Sequence, residues 1–202
     1  MSNKLHLTSP MPESVNHYFR YRAFIKDGKA KAMGYKTNAA AEYQRTFGAY
    51  VAEEVAKQGW EMSENKFQHY YVDADFYFPR VDKDPNNYWK LLLDAITRTG
   101  VVWQDDNVTC ERVNKICYDA ENPRIELEIY PVDYIGVFED ADQLAEFESR
   151  CAGCRRYRNN CSVLRRAKEG RVQDEIVDGN CVSFKPLASA KKNKRSNNKE
   201  RD

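Results

Sequence analysis

The chain is expected to fold as an α/β (α+β) domain, a mixed β-sheet with flanking helices, and three observations lead there. Residues 67–78, FQHYYVDADFYF, alternate apolar and polar positions, as a strand with one covered face does. Two other stretches repeat apolar residues every three to four positions, as amphipathic helices do. The resulting order, β-α-β-α-β-β, joins strands through helices and through a short turn, which suits a sheet with both parallel and antiparallel neighbours.

In chain order, residues 1–36 read as a short strand followed by a loop rich in Tyr and Arg, PESVNHYFRYRAFIKDGK. Thr37 or Asn38 can cap a helix running from about Ala39 to Lys57. Its apolar face is Tyr43, Phe47, Tyr50, Val51 and Val55, and Gly59 ends it. The alternating strand comes next, with Tyr70, Val72, Ala74, Phe76 and Phe78 on one face, and Pro79 closes it. A second helix follows, with Asp84 as cap, Pro85 in its first turn and Gly100 after its end. Leu91, Leu92, Ala95 and Ile96 form its buried stripe, while Asn87, Lys90 and Asp94 share another face. After a strand-like Val-Val-Trp, strand candidates at 108–118 and 124–130 flank the turn-like DAENP. Cys110 and Cys117, in the first of these, are expected to be buried thiols.

Composition narrows the class. Apolar residues make up 42% and charged residues 31%, and no apolar run approaches the roughly 20 residues a bilayer span needs, so a membrane role is not expected. The first residues lack the apolar stretch of a signal peptide, which points to a cytoplasmic location with cysteines reduced or metal-bound. No Gly-rich phosphate loop is present, so no nucleotide cofactor is expected. His6, His17 and His69 show no ligand spacing.

The segment DPNNYWKLLLDAITRTGVVWQDD, residues 84–106, carries the chemistry. A capped amphipathic helix with a Lys90–Asp94 pair accounts for most of it. It does not account for the adjacent Asp105 and Asp106, because neighbouring carboxylates repel unless a cation lies between them. Mg²⁺ takes hard oxygen ligands, commonly one or two carboxylates with waters retained. Carboxylates with a lysine nearby therefore suit phosphodiester hydrolysis, in which the lysine offsets phosphate charge.

These residues resemble the RusA-type Holliday-junction resolvases. That family carries Asp-x-Asp-Asn-x-x-Lys, an aspartate four residues after the lysine, a glycine and then an Asp-Asp pair. Here Asp84, Asn87, Lys90, Asp94, Gly100, Asp105 and Asp106 fall at matching positions, and PESVNHYFRYR is similar to the family's opening. The resemblance covers about residues 5–130. It implies a homodimeric, Mg²⁺-dependent endonuclease that nicks four-way DNA junctions symmetrically. Asp84, Lys90 and Asp106 would be catalytic, with Asp84, Asn86, Asp105 and Asp106 around the metal, and Arg20, Arg22 and Asn87 would contact DNA. One position departs from the pattern: the family's second aspartate is Asn86 here. An amide oxygen can ligate Mg²⁺ but brings no charge. The consequences could be weaker activity, a preference for Mn²⁺, a compensating role for Asp75, or a non-catalytic junction-binding or regulatory protein.

Beyond residue 130 the residues are read alone. An acidic linker passes into a short helix, and then Cys151, Cys154, Cys161 and Cys181 follow with the spacing C-x2-C-x6-C-x19-C. Four thiolates in such a span could bind Zn²⁺, or an iron–sulfur cluster with the same ligands; four unrelated buried thiols is the plainer alternative. Few apolar residues are available there for a core. Between Arg150 and Arg171 lie eight Lys/Arg against Glu169 alone, so Arg155, Arg156 and Arg158 are expected DNA contacts. The tail 185–202 has seven Lys/Arg against two acids and is expected to be disordered, either as an arm for phosphates or as a solubilising tail. The expected organisation is a nuclease domain over 1–132, a linker and four-cysteine module over 133–184, and the basic tail over 185–202.

Overall fold

The computed structural model describes residues 4–157, 159–171 and 174–187. The chain divides into two compact units, Met1–Val132 and Asp133–Asp202. The basic tail beyond residue 187 and Arg158 lie outside the described residues.

The first unit is a mixed four-stranded sheet. Its strands are β1 (Leu5–Pro10), β4 (Tyr70–Phe78), β5 (Thr109–Tyr118) and β6 (Arg124–Pro131), in the order β1-β6-β4-β5. β4 runs parallel to β5 and antiparallel to β6, and β1 runs antiparallel to β6. Parallel neighbours need a long crossover, which here contains helix α3 (Trp89–Thr97). The alternation expected of β4 is present: Tyr70, Val72, Ala74, Phe76 and Phe78 are buried, and Phe76 meets Trp89 edge-on. Helix α2 (Asn38–Gln58) buries Tyr43, Phe47, Val51 and Val55 in the same core. Thr37 caps it by accepting the Ala40 N–H, and Gly59 ends it in the left-handed region at φ 66°.

Two expectations about this unit are corrected. The Tyr- and Arg-rich segment is not a loop. It forms one helical turn, α1 (Val15–Tyr18), and a two-stranded hairpin, β2 (Phe19–Lys26) with β3 (Lys29–Lys36). Asp27 and Gly28, both at positive φ (56° and 72°), make the two-residue turn whose twist matches that of paired strands. All sixteen strand residues are exposed. Cys110 and Cys117 are half-buried rather than buried, because they pair with Tyr71 and Tyr77 on the face of β4 opposite the helices.

The second unit contains α4 (Ala141–Ala152), α5 (Val163–Lys168) and a small hairpin, β7 (Ile176–Val177) with β8 (Asn180–Cys181). Asp140 caps α4 by accepting the Gln143 N–H at 2.8 Å. The segment does have a core, formed by Phe138, Phe147, Val163 and Ala167. Phe138 and Phe147 are scattered among acids in the sequence, and they become neighbours only when α4 folds back, with ring centroids 5.2 Å apart. Gly136 makes this closure possible. A Cβ there would stand 2.0 Å from the Ala167 carbonyl oxygen, and its φ is 61°.

Candidate active site

Asp84 caps a single 3-10 turn, Pro85–Asn87, rather than the helix itself; its Oδ1 accepts the Asn86 N–H at 2.9 Å. Proline suits that turn because it has no N–H to lose. Helix α3 starts only at Trp89, where two rings reach the sheet: Tyr88 packs on Phe78 and Trp89 on Phe76, with centroids 5.3 and 5.5 Å apart. Leu91, Leu92, Leu93, Ala95 and Ile96 are all buried, one more residue than the expected stripe. Lys90 and Asp94 are left on the other side of the helix, paired one turn apart at 2.7 Å.

After α3 the chain turns at Gly100, φ 66°, and plunges into the core. Val-Val-Trp is not a strand, but Val102 and Trp103 are buried all the same. The Trp103 indole N–H donates to Thr97 Oγ1 at 2.7 Å, tying the returning chain to the end of α3. Asp106 thereby comes beside Lys90, Oδ2 to Nζ at 3.6 Å. Asp105 Oδ1 accepts the Asn107 N–H at 3.0 Å and caps a second 3-10 turn, Asp106–Val108, much as Asp84 caps the first. In the protein alone the Lys90 ammonium is shared by Asp94 and Asp106, and no ion pair reaches Asp105 among the described residues.

Lys36, the last residue of β3, also reaches Asp94, Nζ to Oδ2 at 3.0 Å. Burial opposes ionisation of Asp94, yet the hydrogen bonds from Lys90 and Lys36 outweigh it and hold the carboxyl below the usual aspartate value. The bond to Asp94, reinforced by the charge of Asp106, raises Lys90 above the usual lysine value. Burial raises the Tyr18 phenol, and the nearby Asp94 charge adds to the effect. Neither Lys36 nor Tyr18 was expected at the site. Each lies far from residues 84–106 in sequence, so no local signal could have found them.

The sites of the remaining candidates are mixed. Asp84, Asn86 and Asn87 stand together on the turn that leads into α3, and no ion pair joins Asp84 to Lys90 among the described residues. Asp75 does not face this region, which corrects the expectation that it could compensate for Asn86. Its neighbours Ala74 and Phe76 point to the helices, so Asp75 points to the opposite face of the sheet and pairs with Lys115 at 3.0 Å. Arg20 and Arg22 lie on one face of the hairpin. The pairing of Arg20 with Tyr35, Arg22 with Met33, Phe24 with Lys31 and Lys26 with Lys29 puts five cations there. The opposite face carries Phe19, Tyr21, Ala23 and Ile25 against Lys36, Gly34, Ala32 and Ala30.

In the second unit, Cys151, Cys154, Cys161 and Cys181 line one cavity. The basic segment around them is largely neutralised. Arg150 pairs with Glu146, Arg165 and Arg171 with Glu169, Arg166 with Glu175, and Lys168 with Glu148. Arg155 and Arg156 make no ion pair among the described residues, and both have exposed area.

Among the described residues no group of three or more His, Cys, Asp or Glu side chains is arranged to hold a metal ion. The donor chemistry around Lys90 still fits Mg²⁺, because one or two carboxylate oxygens with retained waters suffice for that ion. The family model for endodeoxyribonuclease RusA matches residues 9–130, which include β4, β5, nearly all of β6, the hairpin and both acidic turns. No curated protein matches the chain.

Proposed function

Because the chain belongs to the RusA endodeoxyribonuclease family, we propose that it is a Mg²⁺-dependent nuclease that resolves four-way DNA junctions. We further propose that it acts as a homodimer, since paired nicks in opposed strands require two sites related by a twofold axis. The observation that most supports the reading is the placement of Asp106 beside Lys90 and Asp94, on the side of α3 turned away from the core.

Asp84 and Asp106, with the Asn86 amide oxygen, would hold Mg²⁺, which when bound activates water and stabilises the departing oxygen. Lys90 stands next to Asp106 with a raised affinity for its proton, so it presents a full positive charge to the scissile phosphate. Asp94 orients that ammonium, and Lys36 ties the base of the hairpin to the same carboxylate. Arg20 and Arg22, with the other cations on their face, would track the phosphate backbone, and Arg155 and Arg156 would reach a further arm.

Asn86 favours a second reading, a junction-binding protein with little or no cutting activity, because it removes one negative charge from the donor set. Incubation with Mg²⁺ and a synthetic four-way junction, beside linear duplex of the same arm sequence, separates the two. Symmetric nicks in the junction alone are expected. Tight junction binding without nicks at any Mg²⁺ or Mn²⁺ concentration would establish the second reading.

The hairpin can be tested by binding alone. Replacing both Arg20 and Arg22 by Ala is expected to weaken junction binding and to lower the slope of log affinity against log salt by about 2, roughly 0.9 for each phosphate that is no longer neutralised. Titrations at several salt concentrations measure this. A slope equal to that of the parent would remove the hairpin from the DNA interface.

A further inference from the structure

The four cysteines of the second unit come from separate places: the last turn of α4, the turn just after it, the loop before α5, and β8. None of the six cysteines is in a disulfide, and these four converge, lining one cavity of about 230 Å³ with Leu164 and Phe184. Three of them, Cys151, Cys161 and Cys181, also pack against the small core of the unit. Phe138, Phe147, Val163 and Ala167 already supply the core, and three of the four cysteines are only half-buried.

The backbone around Cys154 is also arranged for a charged sulfur. The end of α4 folds into a tight turn, with the Gly153 N–H donating to the Arg150 carbonyl at 3.0 Å and the Cys154 N–H to the Cys151 carbonyl at 2.9 Å. Residues 185–187 are laid against that turn: Arg155 N–H donates to the Lys185 carbonyl at 2.8 Å, and Leu187 N–H to the Gly153 carbonyl at 3.0 Å. This places the Lys185 N–H on Cys154 Sγ at 3.4 Å, a bond that favours a sulfur carrying negative charge. Arg165, which pairs with Glu169, lines the cavity, and Arg155 and Arg156, which make no ion pair among the described residues, follow Cys154 directly. Four thiolates around a divalent ion carry a net charge of 2−, and these cations are where that charge needs balancing.

We propose that Cys151, Cys154, Cys161 and Cys181 bind one Zn²⁺ ion as four thiolates and so lock the second unit. On binding, four S–H bonds release their protons to solvent and four Zn–S bonds of about 2.3 Å form, with no change in oxidation state. The thiols are not gathered at that spacing in the protein alone, so loading draws the side chains inward across the cavity. The site lies outside residues 9–130, and so it stands or falls independently of the nuclease reading.

The test uses the full chain and does not depend on cleavage. Elemental analysis should find about one zinc per chain after purification with added Zn²⁺. Replacement by Co²⁺ should give intense sulfur-to-cobalt charge-transfer absorption and the visible bands of a tetrahedral ion. Alkylation of the zinc-loaded protein should modify Cys110 and Cys117 rapidly and the other four cysteines at least about tenfold more slowly, and a chelator should abolish the difference. Cys181→Ser should lose the cobalt spectrum, whereas Cys110→Ser should keep it. If Cys181→Ser fails to fold, the alkylation pattern of the unmodified chain still decides. A wild-type chain that binds neither Zn²⁺ nor Co²⁺, or equal protection of all six cysteines, would overturn the proposal. So would iron and sulfide in the preparation.

Discussion

Asp106→Asn is expected to reduce junction cutting by at least about 10²–10³-fold, the usual cost of removing one charge-stabilising group from an active site. The substitution preserves shape, and the local fold does not depend on the lost charge. The turn is capped by Asp105, and the Thr109 hydroxyl donates to the main-chain carbonyl of Asp106, not to its side chain. Lys90 keeps its bond to Asp94 at 2.7 Å. Asp84→Asn should act alike, because asparagine caps a helical turn about as well as aspartate and the bond to the Asn86 N–H survives. Junction binding should be retained or should tighten, since one fewer negative charge faces the phosphates. Asn86→Asp should work in the opposite sense, with the largest gain in rate at low Mg²⁺, where occupancy of the site limits turnover. Single-turnover cleavage and binding measured on the same preparations check all three. Cutting at the parent rate by Asp106→Asn or Asp84→Asn would exclude that residue as a metal ligand.

Trp103→Ala is expected to cost about 3–5 kcal/mol of stability, the range for removing a large aromatic ring from a core. Trp103 is 1% exposed and packs on Tyr70 with centroids 6.1 Å apart. It also anchors the chain that delivers Asp106, through its bond to Thr97. Thermal melting should therefore fall by on the order of 10 °C or more, and cutting should fall even well below the new midpoint. Trp103→Phe keeps most of the packing and loses one hydrogen bond, so it should cost only about 1–2 kcal/mol. Melting curves for both variants, with cleavage assayed at a temperature where each is folded, check this. If Trp103→Ala melts no lower than Trp103→Phe, the ring does not support the loop.

Much of the fold was legible because its signals are local. The alternation of β4, the Thr37 cap and the Gly59 terminus of α2 each depend on a few consecutive residues, and each appears as the sequence implies. The β2–β3 hairpin was missed although Asp27–Gly28 is a local turn signal. Its residues do alternate, cations on one face and mostly apolar side chains on the other, but neither face is covered, so burial does not mark the strands. The core of the second unit was missed for the opposite reason. Phe138 and Phe147 acquire meaning only by meeting Val163 and Ala167, which follow much later in the chain.

By itself, the sequence determined which chemistry is available: hard carboxylates and a lysine on a short acidic segment, arginines near the start, and four thiols after residue 150. Lys90 and Asp94 had to meet if a helix formed, because they are one turn apart. Tertiary structure decided the rest. The parallel β4–β5 crossover brings Asp106 to Lys90 and leaves Asp105 to cap a turn, and the hairpin's base puts Lys36 on Asp94. The side of β4 covered by helices sends Asp75 away from the site. Spacing along a helix or strand fixes which neighbours share a face; which distant charges come within a few ångströms depends on how those faces pack.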